Sequence, residues 1–124
     1  MKIASVLGRF AVGGGAYVGL EFLWRRRSHW SMFAAGGICF LLLGKIRELS
    51  LPEATKPLLG AAAITGVELG TGLVVNRDHH VWDYRAVPGN YRGQICLPFS
   101  LLWIPVSALG MELYRLTEKA WEGL

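Results

Sequence analysis

Residues 33–44 read FAAGGICFLLLG, and this run of apolar residues and glycine decides the class of fold. In a soluble four-helix bundle, polar residues return every three or four positions along each helix, on the face that meets water. None returns in this run, so the helix is apolar around its whole circumference. A chain of 124 residues is too short to bury such a helix in a soluble core. The run therefore favours a helix in a lipid bilayer.

The composition of the whole chain agrees with this interpretation. Hydrophobic residues make up 52% of the chain and charged residues 18%, and the mean hydropathy is +0.35. Ordinary soluble domains are about 45–50% apolar and about 25% charged. These values argue against a typical water-soluble enzyme and against a charged nucleic-acid-binding tail. The net charge of +4 fits contact with anionic lipid headgroups, and nothing in it calls for nucleic acid.

Four stretches are long enough to cross a bilayer, which takes about 20 helical residues. They cover residues 3–23, 31–46, 57–75 and 93–111. We therefore predict an all-α integral membrane bundle of four transmembrane helices, with a polar, aromatic-rich loop between helices 3 and 4. Residues 1–124 are expected to form a single transmembrane domain. A cleaved signal peptide is the alternative for the first stretch, but Arg9 interrupts its apolar run, so we keep it as a span.

The distribution of lysine and arginine predicts the orientation in the membrane. The totals on the two sides nearly cancel, but Arg25, Arg26 and Arg27 form a tight cluster at the end of the first span. Cationic clusters beside a span favour the cytoplasmic side. We therefore expect a multi-pass protein of the cell membrane with both termini outside.

Two pairs of glycines are spaced four residues apart within predicted spans. They are Gly15 with Gly19 in the first span and Gly66 with Gly70 in the third. In lipid, such pairs let helix backbones approach closely. The pairs are therefore expected either to pack helices within the bundle or to form an interface between the copies of a homo-oligomer.

Glu68 is the single ionisable residue in the third span. A carboxylate that faces lipid costs about 2.5–3.5 kcal/mol or more, so we expect Glu68 to face the interior. Thr65, Gly72 and Asn76 lie on the same helical stripe. Glu68 is then either a functional group or a clamp between helices. Further candidates for the polar interior are Arg9, Tyr17, Glu21, Cys96, Ser100, Trp103 and Ser107.

The segment between the third and fourth spans, residues 76–94, is rich in polar and aromatic residues. It can cover the mouth of the bundle, with its rings at headgroup depth. His79 and His80 stand beside acidic residues, but adjacent side chains point apart, which argues against a shared metal. The sequence patterns of common hydrolases, nucleotide-binding loops, zinc peptidases and dithiol redox sites do not occur. We predict no metal, no cofactor and no enzymatic activity.

Several blocks of the chain resemble a family of small multi-span bacterial membrane proteins, the ABC-transporter permease type IV or CmpB-like family. The most specific block contains Val81-Trp82-Asp83-Tyr84, Pro88, Asn90, Gly93-Gln94-Ile95-Cys96-Leu97-Pro98-Phe99-Ser100 and Trp103. The other blocks are Gly19-Leu20-Glu21, His29-Trp30-Ser31-Met32-Phe33 with Gly36-Gly37, and Ile64-Thr65-Gly66-Val67-Glu68-Leu69 with Gly72 and Asn76. The chain has Arg85 after Trp82-Asp83-Tyr84 and so departs from those members of the family that carry serine there.

The resemblance implies a transport or permease component whose substrate is not specified. This chain has no ATP-binding motif, so an ATP-driven role implies a separate ATPase. Two alternatives remain: a structural or accessory protein that organises partners or lipids and, less favoured, a membrane-embedded enzyme using His79, His80 and Asp83. The family's blocks place the ligand-binding or polar interior residues at Glu21, Glu68, Asn76, Trp82, Asp83, Tyr84, Asn90 and Gln94.

Overall fold

A computed structural model describes residues 3–25 and 29–122 of the chain. Within these ranges there are four long helices, α1 (Ile3–Arg25), α2 (Trp30–Arg47), α3 (Lys56–Val75) and α4 (Leu97–Glu122). A short 3-10 helix (Glu53–Thr55) precedes α3. Between α3 and α4, two short antiparallel strands, β1 (Asn90–Tyr91) and β2 (Ile95–Cys96), form a hairpin.

All four helices are long and apolar enough to cross a membrane, and helix accounts for 76% of the structure. The predicted all-α membrane bundle is thus confirmed. The fourth helix begins at Leu97, after the predicted start at residue 93, and it continues to Glu122, beyond the predicted end at residue 111. Residues 93–96 instead complete the hairpin, and Pro98 lies in the first helical turn, where its missing N–H is not needed. Arg26 and Arg27, on which the predicted orientation depends, lie outside the described residues.

The helix α2 is central and packs against each of the other three helices. The helix α1 lies along α2, while α3 lies against α4, and the contact between α1 and α4 is sparse. Close approach of α1 and α2 requires glycine, since a Cβ added at Gly36 would lie 2.9 Å from the carbonyl oxygen of Gly13. The sparse seam between α1 and α4 leaves space beside the core.

The two glycine pairs singled out in the sequence do not contribute to this packing. A Cβ added at Gly15, Gly19, Gly66 or Gly70 would meet no other atom within 4 Å. Both pairs therefore face away from the bundle. Packing within one chain does not explain them.

Two small apolar clusters join the helices, one at the loop and one deeper in the bundle. Met32 of α2 packs with Val81 and Trp82 of the loop. Ala61 and Ile64 of α3 pack with Trp103 of α4, and Tyr17 of α1 lies against both clusters.

Arg9 fixes the end of the bundle opposite the loop. Its side chain is only 5% exposed, and its Nε donates a hydrogen bond of 3.1 Å to the hydroxyl of Thr117. Its guanidinium lies 4.8 Å from the centre of the Tyr114 ring, which is a cation–π contact. Arg9 thus joins α1 to the last turns of α4, far from Glu68.

Lys56 is a second buried cation at the same end. Its Nζ donates 2.8 Å hydrogen bonds to the carbonyl oxygen of Arg47 and to the carboxylate of Glu53. Arg47 in turn pairs with Glu118 across 2.9 Å. These bonds tie the start of α3 and the end of α4 to the end of α2.

Candidate functional site

Asn76 comes directly after α3 and is completely buried. Its Nδ2 donates to the carbonyl oxygen of Trp82 across 2.7 Å and to the Oε1 of Gln94 across 2.8 Å. Its Oδ1 accepts hydrogen bonds from the backbone N–H groups of Val81 (2.8 Å) and Trp82 (3.2 Å). Gln94 donates back to the carbonyl oxygen of Asn76, and the Trp82 indole donates to the carbonyl oxygen of Gln94. We call Asn76, Trp82 and Gln94 the Asn76 clamp.

The Asn76 clamp holds the loop on the end of α3. An asparagine amide offers two donors and two acceptor positions, and Asn76 uses all four within the protein. No atom of its side chain remains for a ligand. The structure brings these three predicted residues together, and their geometry is that of a positioning network.

Glu68 lies two helical turns before Asn76, and its side chain is only 9% exposed. The Tyr84 hydroxyl donates to its Oε2 across 2.9 Å, and the Trp103 indole nitrogen lies 3.5 Å from its Oε1. Burial, together with the nearby charge of Glu68, raises the pKa of Tyr84, which keeps the phenol protonated as a donor. The predicted stripe on α3 is also correct, since Gly72 is buried and Thr65 is half-buried.

Two adjoining cavities of about 270 and 290 Å³, which we call the Glu68 cavities, lie beside this carboxylate. Leu20, Leu102 and Leu109 line them and are at the same time exposed on the outer surface of the bundle. The cavities therefore open sideways, toward lipid, at the seam between α1 and α4. The residues that line both cavities are Tyr17, Leu20, Met32, Glu68, Trp82, Trp103 and Val106.

Aromatic rings form much of the wall around Glu68. Tyr17 and Trp103 meet edge to face with their ring centres 6.1 Å apart. Tyr84 stacks on Phe99 with a centre distance of 5.2 Å and an interplanar angle of 16°. Sequence reasoning missed Phe99 as a wall residue, although it stands four positions before Trp103, a spacing that puts both on one side of a helix.

Glu21 and Asp83 line the second cavity from α1 and from the loop. Asp83 is exposed and forms a bidentate pair with Arg85, whose Nε donates to Oδ1 across 2.9 Å and whose Nη2 donates to Oδ2 across 2.7 Å. Hydrogen bonds from Arg85 lower the pKa of Asp83 to about 2. So weak a base does not take up protons near neutral pH. Arg85 therefore holds Asp83 in a salt bridge.

Asn90 lies outside both cavities and organises the hairpin. Its Nδ2 donates to the carbonyl oxygen of Val87 across 3.0 Å, and its Oδ1 accepts from the N–H of Gly93 across 3.0 Å. Asn90 is exposed, and the structure does not bring it together with Glu68.

The two histidines point to different partners. The Nε2 of His79 lies 2.9 Å from the carbonyl oxygen of Arg92, whereas the Nδ1 of His80 lies 3.4 Å from the carboxylate of Asp78. Across residues 3–25 and 29–122, no group of three or more histidine, cysteine, aspartate or glutamate side chains is placed to hold a metal ion.

A family model described as "Putative ABC-transporter type IV" matches residues 25–121. The chain belongs to this family. The type IV match covers α2, α3, the loop and almost all of α4, and so every predicted site residue except Glu21. The helix α1 precedes the match apart from its last residue. Comparison with curated proteins and with solved structures gives no match. The type IV family and the four apolar helices identify a membrane protein.

Proposed function

We propose that the chain is a transport component of the cell membrane, a permease subunit in which the Glu68 cavities hold the solute. One observation carries the proposal: a buried carboxylate lines cavities that open between α1 and α4. Ionisable groups within membrane spans are expensive and are often part of a solute pathway. Membership of an ABC-transporter family supports the same assignment.

The contrast between Glu68 and Asn76 favours a role in binding for Glu68. The side-chain amide of Asn76 forms all four of its hydrogen bonds within the protein, and Asn76 lines neither cavity. Glu68 lines both cavities, and its neighbours Tyr17 and Trp103 do so too. The wall around Glu68 thus presents charge and aromatic surface to a solute.

The proposal includes partners. Because the sequence contains no ATP-binding motif, ATP-driven transport would use a separate ATPase. The outward-facing pairs Gly15 with Gly19 and Gly66 with Gly70 leave room for a helix of another copy, which supports a homo-oligomer. The proposal assigns no catalytic activity to the chain.

A structural or accessory role is the second candidate. The hydrogen bond from Tyr84 to Glu68 favours it, since this bond joins the loop to α3 much as the Asn76 clamp does. In that role Glu68 stabilises the fold, and the cavities hold only lipid. Removing the charge of Glu68 separates the two candidates.

The test is native mass spectrometry of the gently extracted protein, with Glu68→Gln and, as a matched control, Glu112→Gln. Glu112 is an exposed residue of the second half of α4 that pairs with Arg115 and lies outside the Glu68 cavities. We expect a non-lipid solute on the wild type and on Glu112→Gln, and its loss from a Glu68→Gln protein that remains folded. A Glu68→Gln protein that keeps the solute, or a wild type that carries lipid alone, contradicts the transport role.

A further inference from the structure

We propose that the Glu68 cavities select an organic cation with an apolar body. This inference rests on the proposed function, because it names the class of solute for the same site. Three observations support it: the sign of the charges in the wall, the number of aromatic rings, and the opening toward lipid.

Among the described residues, the charged side chains that line the cavities are all acidic. Glu68 lines both cavities, Glu21 and Asp83 line the second, and no described lysine or arginine lines either one. Asp83 is paired with Arg85, while Glu68, which accepts hydrogen bonds from the uncharged donors Tyr84 and Trp103, is the carboxylate common to both cavities. In a space that excludes water, a carboxylate attracts a cation and repels an anion more strongly than it does in bulk solvent.

The aromatic rings add a second preference for positive charge. The face of an aromatic ring attracts a cation, and alkylated ammonium groups are bound in this way. Tyr17 and Trp103 approach Glu68 from α1 and α4, while Tyr84 and Phe99 stack beside it. The cation would thus be held between a carboxylate and a wall rich in aromatic rings.

The rest of the wall selects an apolar body and disfavours a metal ion. Leu20, Met32 and Val106 line both cavities, and the outer end opens onto the lipid-facing side of α1 and α4. A metal ion needs several oxygen, nitrogen or sulfur ligands in place of its water shell. In the part of the chain that the structure describes, no metal-binding group of three such residues exists. An amine or quaternary ammonium that carries carbon substituents has an apolar body and needs no set of metal ligands, so it fits this wall.

The experiment compares two probes of similar size and opposite charge, phenyltrimethylammonium and benzenesulfonate. Each is titrated by calorimetry into the wild-type protein in an uncharged detergent. We expect saturable binding of phenyltrimethylammonium and at least tenfold weaker binding of benzenesulfonate. Equal binding of the two probes, or binding of neither, overturns the inference, and this comparison needs no variant.

Variants then locate the binding. Glu68→Gln and Trp103→Leu should each weaken phenyltrimethylammonium binding at least tenfold, while Glu112→Gln should leave it unchanged. Unaltered affinity in folded Glu68→Gln would place the cation elsewhere and overturn the inference. The inference can fail without the proposed function. If the cation does not bind but the wild type retains another solute that depends on Glu68, the transport role stands and the solute class is wrong.

Discussion

Asn76 and Gln94 exchange two hydrogen bonds of 2.8 Å across 18 residues of sequence, one between their side chains and one from Gln94 to the backbone of Asn76. Both residues are buried, at 0% and 2% exposure. This exchange sets the position of the loop over the bundle, and with it the position of Tyr84 beside Glu68.

Asn76→Ala should strongly destabilise the protein. It leaves the N–H groups of Val81 and Trp82 without their acceptor, and a buried unsatisfied group costs about 1–3 kcal/mol. We expect the free energy of unfolding to fall by about 3 kcal/mol or more, measured by thermal or chemical denaturation in detergent. Asn90→Ala, at an exposed position, is the control and should cost about 1 kcal/mol or less. Similar losses in both variants would refute the clamp.

Tyr84→Phe removes one hydrogen bond to Glu68 and keeps the ring that stacks on Phe99. Because hydrogen bonds to charged groups contribute about 1.5–3 kcal/mol, we expect the unfolding free energy to decrease by about that amount. Tyr91→Phe, in the exposed hairpin, should change stability little. The same denaturation curves measure both variants, and a Tyr84→Phe curve that coincides with the wild type would show that this bond does not stabilise the fold.

The Asp83–Arg85 pair predicts an unusual titration. Arg85 lowers the pKa of Asp83 to about 2, so the pair contributes stability above the ordinary aspartate pKa and loses it as the pH falls toward about 2. Carboxyl-carbon NMR should follow this transition in the wild type. In Arg85→Ala the midpoint should rise toward the ordinary value of 3.8. An unchanged midpoint would mean that Arg85 does not control the charge of Asp83.

Substitution by alanine should change the stability of the protein differently at two glycines of α3, Gly60 and Gly66. A Cβ at Gly60 would lie 2.7 Å from the side chain of Ser107, and overpacking costs about 1–3 kcal/mol. A Cβ at Gly66 meets open space, so Gly66→Ala should leave the monomer as stable or slightly more stable. Denaturation measures stability, and native mass spectrometry measures subunit number. If Gly66→Ala destabilises a monomeric protein as much as Gly60→Ala does, the outward placement of this glycine pair is wrong.

The four helices could be predicted because their signal is length and hydropathy alone. The start of α4 could not be predicted, because residues 93–96 are uncharged and continuous with the apolar run of the helix. They belong instead to a hairpin that Asn90 and the positive φ of Gly93 stabilise. Pro98 indicates the start of α4, since proline is common in the first turn of a helix. Charged residues such as Glu112 and Arg115 follow Met111, so the apolar pattern did not predict that α4 continues to Glu122.

The candidate site was only partly predictable. Helical spacing placed Glu68 and Asn76 on one buried stripe, and the structure agrees. Their different surroundings were not predictable, because the partners of Asn76 come from a loop with no periodic pattern. The cavities could not be foreseen either, since they depend on the sparse contact between α1 and α4.

The Asn76 clamp also bears on the chain entropy that folding costs. Its side-chain hydrogen bonds join residues 5 to 18 positions apart, whereas the Arg9–Thr117 bond spans 108 positions. Contacts between residues close in sequence cost less chain entropy to form. The segment from α3 through the loop to α4 is therefore joined by contacts that cost little chain entropy, whereas the junction of α1 with α4 closes almost the whole length of the chain.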